Sequence, residues 1–327
     1  MMSLIFSIIV PVYSRPEEME ELLCSLSRQS DKDFEVVVME GAGGRSCEDI
    51  CRRYADLLDI HFFCRDTDRS TRRNEGMRLA KGNYFILFDS DCIIPEDYIS
   101  LLRRALTKEY VDCYGGPDSA DASFSTLQAA VNYSMTSLLT TGGIRGKMRD
   151  KTKYLPRAFN MGFSRAVFES TGGYRQMIGE DVDLSMRIKE AGFAVRLISE
   201  VFVYHKRRVT LGSFFRQVRT FGRARVLLAE LHPHSLKLTH LFPSCFLLGN
   251  IALCLLGVLH SWWWLLPIAV YVFLLFAESL WRNKRLSVAL LSVVTSYIQL
   301  SGYGWGFIEE SITHKARRAA AETMYRQ

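Results

Sequence analysis

The sequence predicts an α/β region with a mainly parallel sheet, followed by C-terminal transmembrane helices. Short β-rich runs alternate with amphipathic helix-like stretches through the first two-thirds of its 327 residues. An apolar run from Asn83 to Phe88 ends in Asp89-Ser90-Asp91. From Leu241 onward the chain turns strongly apolar, so hydrophobicity divides it into about two parts.

The first strand is Ser7 to Val12, followed by Pro16 and a helix from Glu17 to Gln29 whose Met19, Leu22, Leu23 and Leu26 recur at helical spacing. Phe34 to Met39 is the second strand. A helix from Cys47 to Leu58 leads to the short strand Ile60 to Phe63, and a helix from Arg73 to Ala80 leads to the strand ending at Asp89. Such alternation places strands side by side in parallel with helices on both faces, and ligands then bind beyond the strands' carboxyl ends. Pro11-Val12-Tyr13, Glu40-Gly41 and Asp89-Ser90-Asp91 all fall there.

Asp89 and Asp91 are two apart, so an extended segment would project both carboxylates to one side. Hard oxygen ligands at that position suit Mg²⁺ or Mn²⁺ bridging to phosphate oxygens. The same triplet after a strand also occurs as a solvated turn. Gly41-Ala42-Gly43-Gly44 lacks the Gly-x-Gly-x-x-Gly spacing that leads into a helix, which sets dinucleotide binding aside.

A second acidic cluster, Gly179-Glu180-Asp181-Val182-Asp183, opens a helix with Leu184, Ile188 and Ala191 on one face and Gly192 at its end. Acids there cap free N–H groups and oppose the helix dipole. A carboxylate at the mouth of the crevice also suits proton abstraction from an attacking hydroxyl, and the two roles coexist if Asp183 caps while Asp181 reacts. His205 follows the β-rich Val203-Tyr204. A lone histidine is usually structural, but a neutral imidazole there could add a metal ligand.

In this order the motifs resemble the family 2 glycosyltransferases of the GT-A fold, membrane-anchored bacterial type. The resemblance runs from Phe6 to about Arg225. It rests on Ser7-Ile8-Ile9-Val10-Pro11-Val12-Tyr13, Arg73-Asn74-Glu75-Gly76, Asp89-Ser90-Asp91, Asn160-Met161-Gly162, Gly172-Gly173-Tyr174, Gly179-Glu180-Asp181 and Val203-Tyr204-His205. It implies transfer of a sugar from a nucleotide diphosphate sugar to an acceptor hydroxyl with inversion at the anomeric carbon. Asp89, Asp91 and His205 would then hold the divalent cation, Mn²⁺ or Mg²⁺, that offsets charge on the departing diphosphate. Asp181 would deprotonate the acceptor, with Glu180 beside it in the catalytic pair. Pro11, Tyr13, Glu40, Arg73 and Asp89 would bind the donor, Arg73 approaching the diphosphate.

Two departures qualify the resemblance. Where many relatives carry Asp-Asp-Gly-Ser, this chain has Met39-Glu40-Gly41-Ala42, so a UDP-sugar is a preference over other bases. Arg216-Gln217-Val218-Arg219-Thr220-Phe221 does not fit the Gln-x-x-Arg-Trp of processive synthases, which favours addition of one sugar. Two other readings stay open: transfer to polyprenyl phosphate itself, and a catalytically silent membrane partner of a glycan-assembly complex.

Leu241 to Leu259, Trp262 to Leu280 and Leu286 to Ile308 are each long enough to cross a bilayer. Leu4 to Val12 has no basic flank or cleavage site of a signal peptide, so the catalytic part is expected in the cytosol, anchored to the inner (plasma) membrane by several passes. Eight cysteines without paired spacing agree with a reducing compartment. Lys206-Arg207-Arg208, Arg216, Arg219, Arg223, Arg225 and Lys237 precede the first span, and Arg282-Asn283-Lys284-Arg285 returns to that side. Three crossings would put Lys315, Arg317 and Arg318 outside, against the positive-inside rule, unless the last segment, with Gly302 to Gly306, is re-entrant or interfacial.

Leu211, Phe214, Phe215, Val218 and Phe221 against the arginines read as a basic amphipathic helix on the bilayer or as a helix packed on the catalytic domain. Its position favours the bilayer, with a lipid-linked or glycan acceptor whose phosphates the arginines meet, and no nucleic-acid partner. The expected organisation is a catalytic domain over 1–210, a basic interfacial segment over 211–240, two to three transmembrane helices over 241–310 and a basic tail over 311–327.

Overall fold

The structure is a computed structural model that describes residues 4–119, 125–141, 154–205 and 210–324. The chain forms two compact units, residues 1–121 with 149–206, and residues 122–148 with 207–327.

The first unit opens with β1 (Phe6–Val12), α1 (Pro16–Ser27), β2 (Phe34–Gly41), α2 (Glu48–Tyr54), β3 (Asp59–Arg65), α3 (Arg69–Leu79) and β4 (Tyr84–Leu87). Then come β5 (Cys92–Ile93), α4 (Tyr98–Lys108), β6 (Cys113–Gly115) and β7 (Asp118–Ser119). The second unit contributes α5 (Thr126–Thr136) and α6 (Leu138–Thr141) before the chain returns with β8 (Met161–Ser164), α7 (Arg165–Thr171), α8 (Glu180–Glu190), β9 (Val195–Leu197) and β10 (Val203–His205).

Seven strands form one sheet in the order β3-β2-β1-β4-β8-β6-β9. The β3-β2-β1-β4 part is parallel throughout, as the alternation requires, and β8 runs antiparallel to both β4 and β6. β1 is buried on both faces and reads as a continuous apolar run for that reason. Phe6, Ile8, Val10 and Val12 pack with α1 and α4, whereas Ile9 joins Met77 of α3 and Leu184 of α8 on the other side. A second, three-stranded sheet, β5-β10-β7, pairs His205 with Cys92, one residue past Asp91.

The second unit is helical: α5, α6, α9 (Leu211–Leu231), α10 (Phe242–Leu259), α11 (Leu266–Asn283) and α12 (Leu286–Met324). Three segments in it, 242–259, 262–283 and 286–314, are long and apolar enough to cross a membrane. The expected boundaries change in two places. Residues 126–141 pack in this unit and not in the catalytic one, with the Tyr133 hydroxyl donating to the Leu275 carbonyl and to Glu278, and Thr295 donating to the Ala130 carbonyl. The expected tail from 311 is instead the continuation of α12.

The α9 helix turns its apolar stripe into protein: Phe214 and Val218 are buried with Val131 and Met135 of α5. Its arginines are largely engaged. Arg219 and Arg223 pair with Glu309 and Glu310 of α12, at 2.5 and 2.8 Å, and the buried Arg225 donates to Ser235 at 2.6 Å. Arg216 remains exposed. The bilayer-facing expectation is therefore corrected for Phe214 and Val218, which α5 covers, and for Arg219 and Arg223, whose counter-charges come from α12, while Phe215 stays 38% exposed.

Candidate active site

The apolar run ends sooner than an extended reading requires. β4 stops at Leu87, and Ser90 and Asp91 form a turn before β5, so Asp89 and Asp91 are placed by a bend and not by strand alternation. Each carboxylate meets a guanidinium. Asp89 Oδ1 accepts from Arg73 Nη2 at 2.7 Å, and Asp91 Oδ2 from Arg15 Nη1 at 3.0 Å. Sequence reasoning passed over Arg15. It follows Ser14, which adopts a left-handed φ of 52°, an uncommon state for serine that turns the chain at the end of β1.

Arg73 is fully buried in α3. Its other terminal nitrogen donates to Glu180 Oε1 at 3.0 Å, and its guanidinium lies 5.0 Å from the Tyr174 ring centroid. Burial opposes its charge, but Asp89, Tyr174 and Glu180 overcome that and hold its pKa above the ordinary arginine value. The expected approach of Arg73 to a diphosphate is corrected: enclosed by two carboxylates and a ring, it clamps the protein to itself. Next to it, the Asn74 side chain donates to the Tyr174 carbonyl and accepts from the Tyr174 N–H, both at 2.8 Å. Gly173, at φ 78°, leaves room for this, since a Cβ there would sit 2.3 Å from Asn74 Oδ1. The Arg73-Asn74 pair thus joins the Asp89 loop to the segment that feeds α8.

The N-cap of α8 is Gly179 at φ 83°, without a side-chain cap, so Asp183 is not the capping group expected. The three acids of the first turn have separate surroundings. Glu180 is buried and its Oε1 accepts from Arg69 at 2.7 Å as well as from Arg73, which removes it from the role of base. Asp183 is fully buried between Arg175 and Arg187, at 3.1 and 2.9 Å. The Asp181 side chain is 20% exposed, with Oδ1 accepting from the Val182 N–H at 2.8 Å and Oδ2 lying 3.6 Å from Arg157. Among these three it is the carboxylate that a substrate can reach.

At the ends of β1 and β2, Pro11 is buried and Tyr13 is 53% exposed. Glu40 is buried, and both oxygens are used by its own loop: Oε1 accepts from the Cys47 N–H at 2.7 Å and Oε2 from Ser46 Oγ at 2.9 Å. The expected reach of Glu40 to a nucleobase is corrected, because its carboxylate shapes the loop between β2 and α2. Burial and that carboxylate push the Cys47 thiol up to about 12. A residue the sequence did not single out lies nearby: Arg72 donates to the Thr67 carbonyl at 2.8 Å, and a Cβ on Gly41 would meet both its Nη1 and the Tyr13 ring. Burial lowers the pKa of Arg72, and among the described residues it forms no ion pair. Its position beside Arg73 in the sequence gave no sign that the two face different ways.

The side chain of His205 lies outside the described residues, as do Lys206, Arg207 and Arg208. All eight cysteines are free thiols.

Residues 7–172, just over half of the chain, match the family model described as Glycosyl transferase family 2. The chain is 27% identical over 108 residues to glycosyltransferase GlyA of Streptococcus pneumoniae, 32% of this chain and 16% of that protein. It is 24% identical over 236 residues to the hyaluronan synthase of Pasteurella multocida, 61% of this chain and 24% of that protein, so it matches only a minor part of either relative. Glycosyltransferase AglE of Haloferax volcanii is 21% identical over 250 residues, 74% of this chain and 80% of that protein. A mannosyltransferase from Pyrobaculum calidifontis, solved with GDP-Man and Mn²⁺, superposes with a TM-score of 0.65 at 17% identity, covering 90% of this chain and 87% of the other, and so shares its fold. With the parallel sheet, the acidic loop after β4 and the acids of α8 in place, the chain belongs to glycosyl transferase family 2.

Proposed function

We propose that this protein transfers a single sugar from a nucleoside diphosphate sugar to a lipid-linked acceptor, with inversion at the anomeric carbon. The observation that carries the reading is Arg73, whose one guanidinium holds Asp89 at 2.7 Å and Glu180 at 3.0 Å. It brings two acidic clusters far apart in sequence to one place, and it leaves Asp181 next to that place with an accessible carboxylate.

Asp181 acts as general base, taking the acceptor's hydroxyl proton as the oxygen attacks. Glu180 and Asp183 are positioning residues, fixed by Arg69 and Arg73 and by Arg175 and Arg187. The donor lies beyond the carboxyl ends of β1, β2 and β4. Tyr13 offers its ring and Arg72 its charge on the nucleotide side, with Pro11 forming part of the wall. Asp89 and Asp91, in the loop that follows β4, offer the oxygen donors that a hard divalent cation takes, and such a cation would compete for them with Arg73 and Arg15. Bound there, Mn²⁺ or Mg²⁺ would offset charge on the departing diphosphate.

The apolar helices support a membrane-borne acceptor. A shallow, open apolar depression beside α10, α11 and Tyr297 of α12, lined by Leu247, Ile251, Leu255, Ile268 and Val272, gives a hydrocarbon chain a surface to lie against. Exposed Arg216 is the α9 arginine suited to a lipid phosphate. We place the catalytic domain on the cytoplasmic side of the plasma membrane.

The test is nucleoside diphosphate release by membranes containing the protein, across a nucleotide-sugar panel with Mn²⁺ and native lipid extract. Release from one donor that disappears in Asp181→Asn supports the reading. No release from any donor, with the protein folded and inserted, overturns it in favour of a silent partner.

A further inference from the structure

We propose that Glu35, Asp59 and His61 form a second divalent-cation site, of the zinc class, at the amino edge of the seven-stranded sheet. The register fixes the grouping. Glu35 lies opposite Asp59 across β2 and β3, and His61 follows two residues on, so all three side chains share one face. β2 and β3 run parallel to β1, and β1 to β4, so this cluster sits at the opposite end of the strands from Asp89 and Asp91. One ligand atom from each residue lies within 4.8 Å of the others.

The buried carboxylate points to a ligand. Glu35 is 5% exposed, and its Oε1 is held by three donors: Ser7 Oγ at 2.6 Å, the Lys81 N–H at 2.6 Å and the Gly82 N–H at 3.2 Å. Its Oε2 is equally buried and accepts no hydrogen bond, yet it is aimed at His61 Nε2, 3.4 Å away, which in turn is 3.2 Å from Asp59 Oδ1. A buried carboxylate oxygen without a donor is costly. One imidazole nitrogen and two carboxylate oxygens, with a further position open to solvent, is a zinc-type donor set, and the three donors on Oε1 preorganise it. The Lys81 ammonium, 3.3 Å from His61 Nε2 on an exposed side chain, is the group the cation displaces. A cation here would tie the edge strand β3 to β2.

The test uses the full chain in detergent micelles with excess Mg²⁺, which occupies hard-oxygen sites. It is titrated with Zn²⁺ by calorimetry and with Co²⁺ by visible absorption. The wild type and Asp91→Asn are expected to take up a Zn²⁺ equivalent that His61→Ala lacks, and Co²⁺ there should give a tetrahedral spectrum. Ser7→Ala should weaken that equivalent about tenfold, by loosening Glu35, and Lys81→Met should tighten it. Should His61→Ala lower the melting temperature of the metal-free protein, His61→Gln and Asp59→Asn carry the same readout. No Zn²⁺ uptake by the wild type, or uptake equal in His61→Ala, overturns the proposal. None of these readouts uses turnover, so the outcome is independent of the reaction proposed above.

Discussion

Asp181 and Asp183 are two residues apart and have opposite surroundings, so the same substitution should do different things. Asp181→Asn removes a base from an accessible position and is expected to lower turnover by about 10²–10⁴-fold with little change in melting temperature. Asp183→Asn strips the counter-charge from Arg187, whose side chain is 11% exposed, and is expected to cost about 3 kcal/mol of stability. Initial rates and thermal melts of the two variants check both. The cysteines provide a second test. Burial pushes Cys47 and Cys51 up to about 12, so at pH 8 both remain thiols, the unreactive form, whereas Cys64 is exposed. Maleimide labelling of native protein followed by peptide mapping should mark Cys64 and leave Cys47 and Cys51 unmodified.

At the scale of elements, α3 and the α9–α12 pair do the positioning. α3 carries Arg73, and Arg73→Lys keeps the charge but loses the fork that meets Asp89 and Glu180 together. The resulting misplacement is expected to lower turnover about a hundredfold, measured with saturating donor. The Gly302 to Gly306 run lies inside unbroken α12 and is a packing surface. A Cβ on Gly306 would fall 2.0 Å from the Arg219 carbonyl, and one on Gly222 would fall 2.1 Å from the Tyr303 carbonyl, so the two backbones approach as closely as glycines permit. Gly306→Val should therefore destabilise the second unit by about 1–3 kcal/mol. Gly249→Ala in α10, with nothing within 4 Å of the new methyl, should leave the melting temperature unchanged or raised. Fluorescence melts in detergent distinguish them.

For the whole molecule, the packing of the three apolar helices bears on how the chain meets a membrane. Residues 262–265 link α10 to α11, and α12 begins beside the end of α11, where Ser279 donates to Ser292. Ser244 donates to the Gly304 carbonyl, and Tyr297 meets Phe246 edge to face, with Ser244 and Phe246 both in the first turns of α10. α12 has 44% of its apolar window buried by protein, against 0% and 11% for the other two. The charge rule favours two crossings with an interfacial α12, because three would put Lys315, Arg317 and Arg318 on the side opposite the start of α10. An impermeant thiol reagent should label Gln327→Cys and native Cys64 in the same vesicle orientation; labelling in opposite orientations would show three crossings.

The sequence alone determined the four strands of a parallel frame and the helices between them, the acids just past the fourth strand and the apolar third of the chain, whereas the strand order β3-β2-β1-β4 came from the structure. Each is written in local periodicity: a strand buried on both faces must be apolar throughout, and a parallel neighbour must be reached through a helix. Tertiary structure decided which charged groups meet. Neighbours in sequence point to different partners once folded, so Arg72 and Arg73, or Glu180, Asp181 and Asp183, carry no mark of which is buried, paired or accessible. The same holds for residues 126–141, whose attachment to the apolar helices depends on Tyr133 meeting Glu278 across 145 residues of chain. Burial and charge pairing are set by groups distant in sequence, and no local pattern records them.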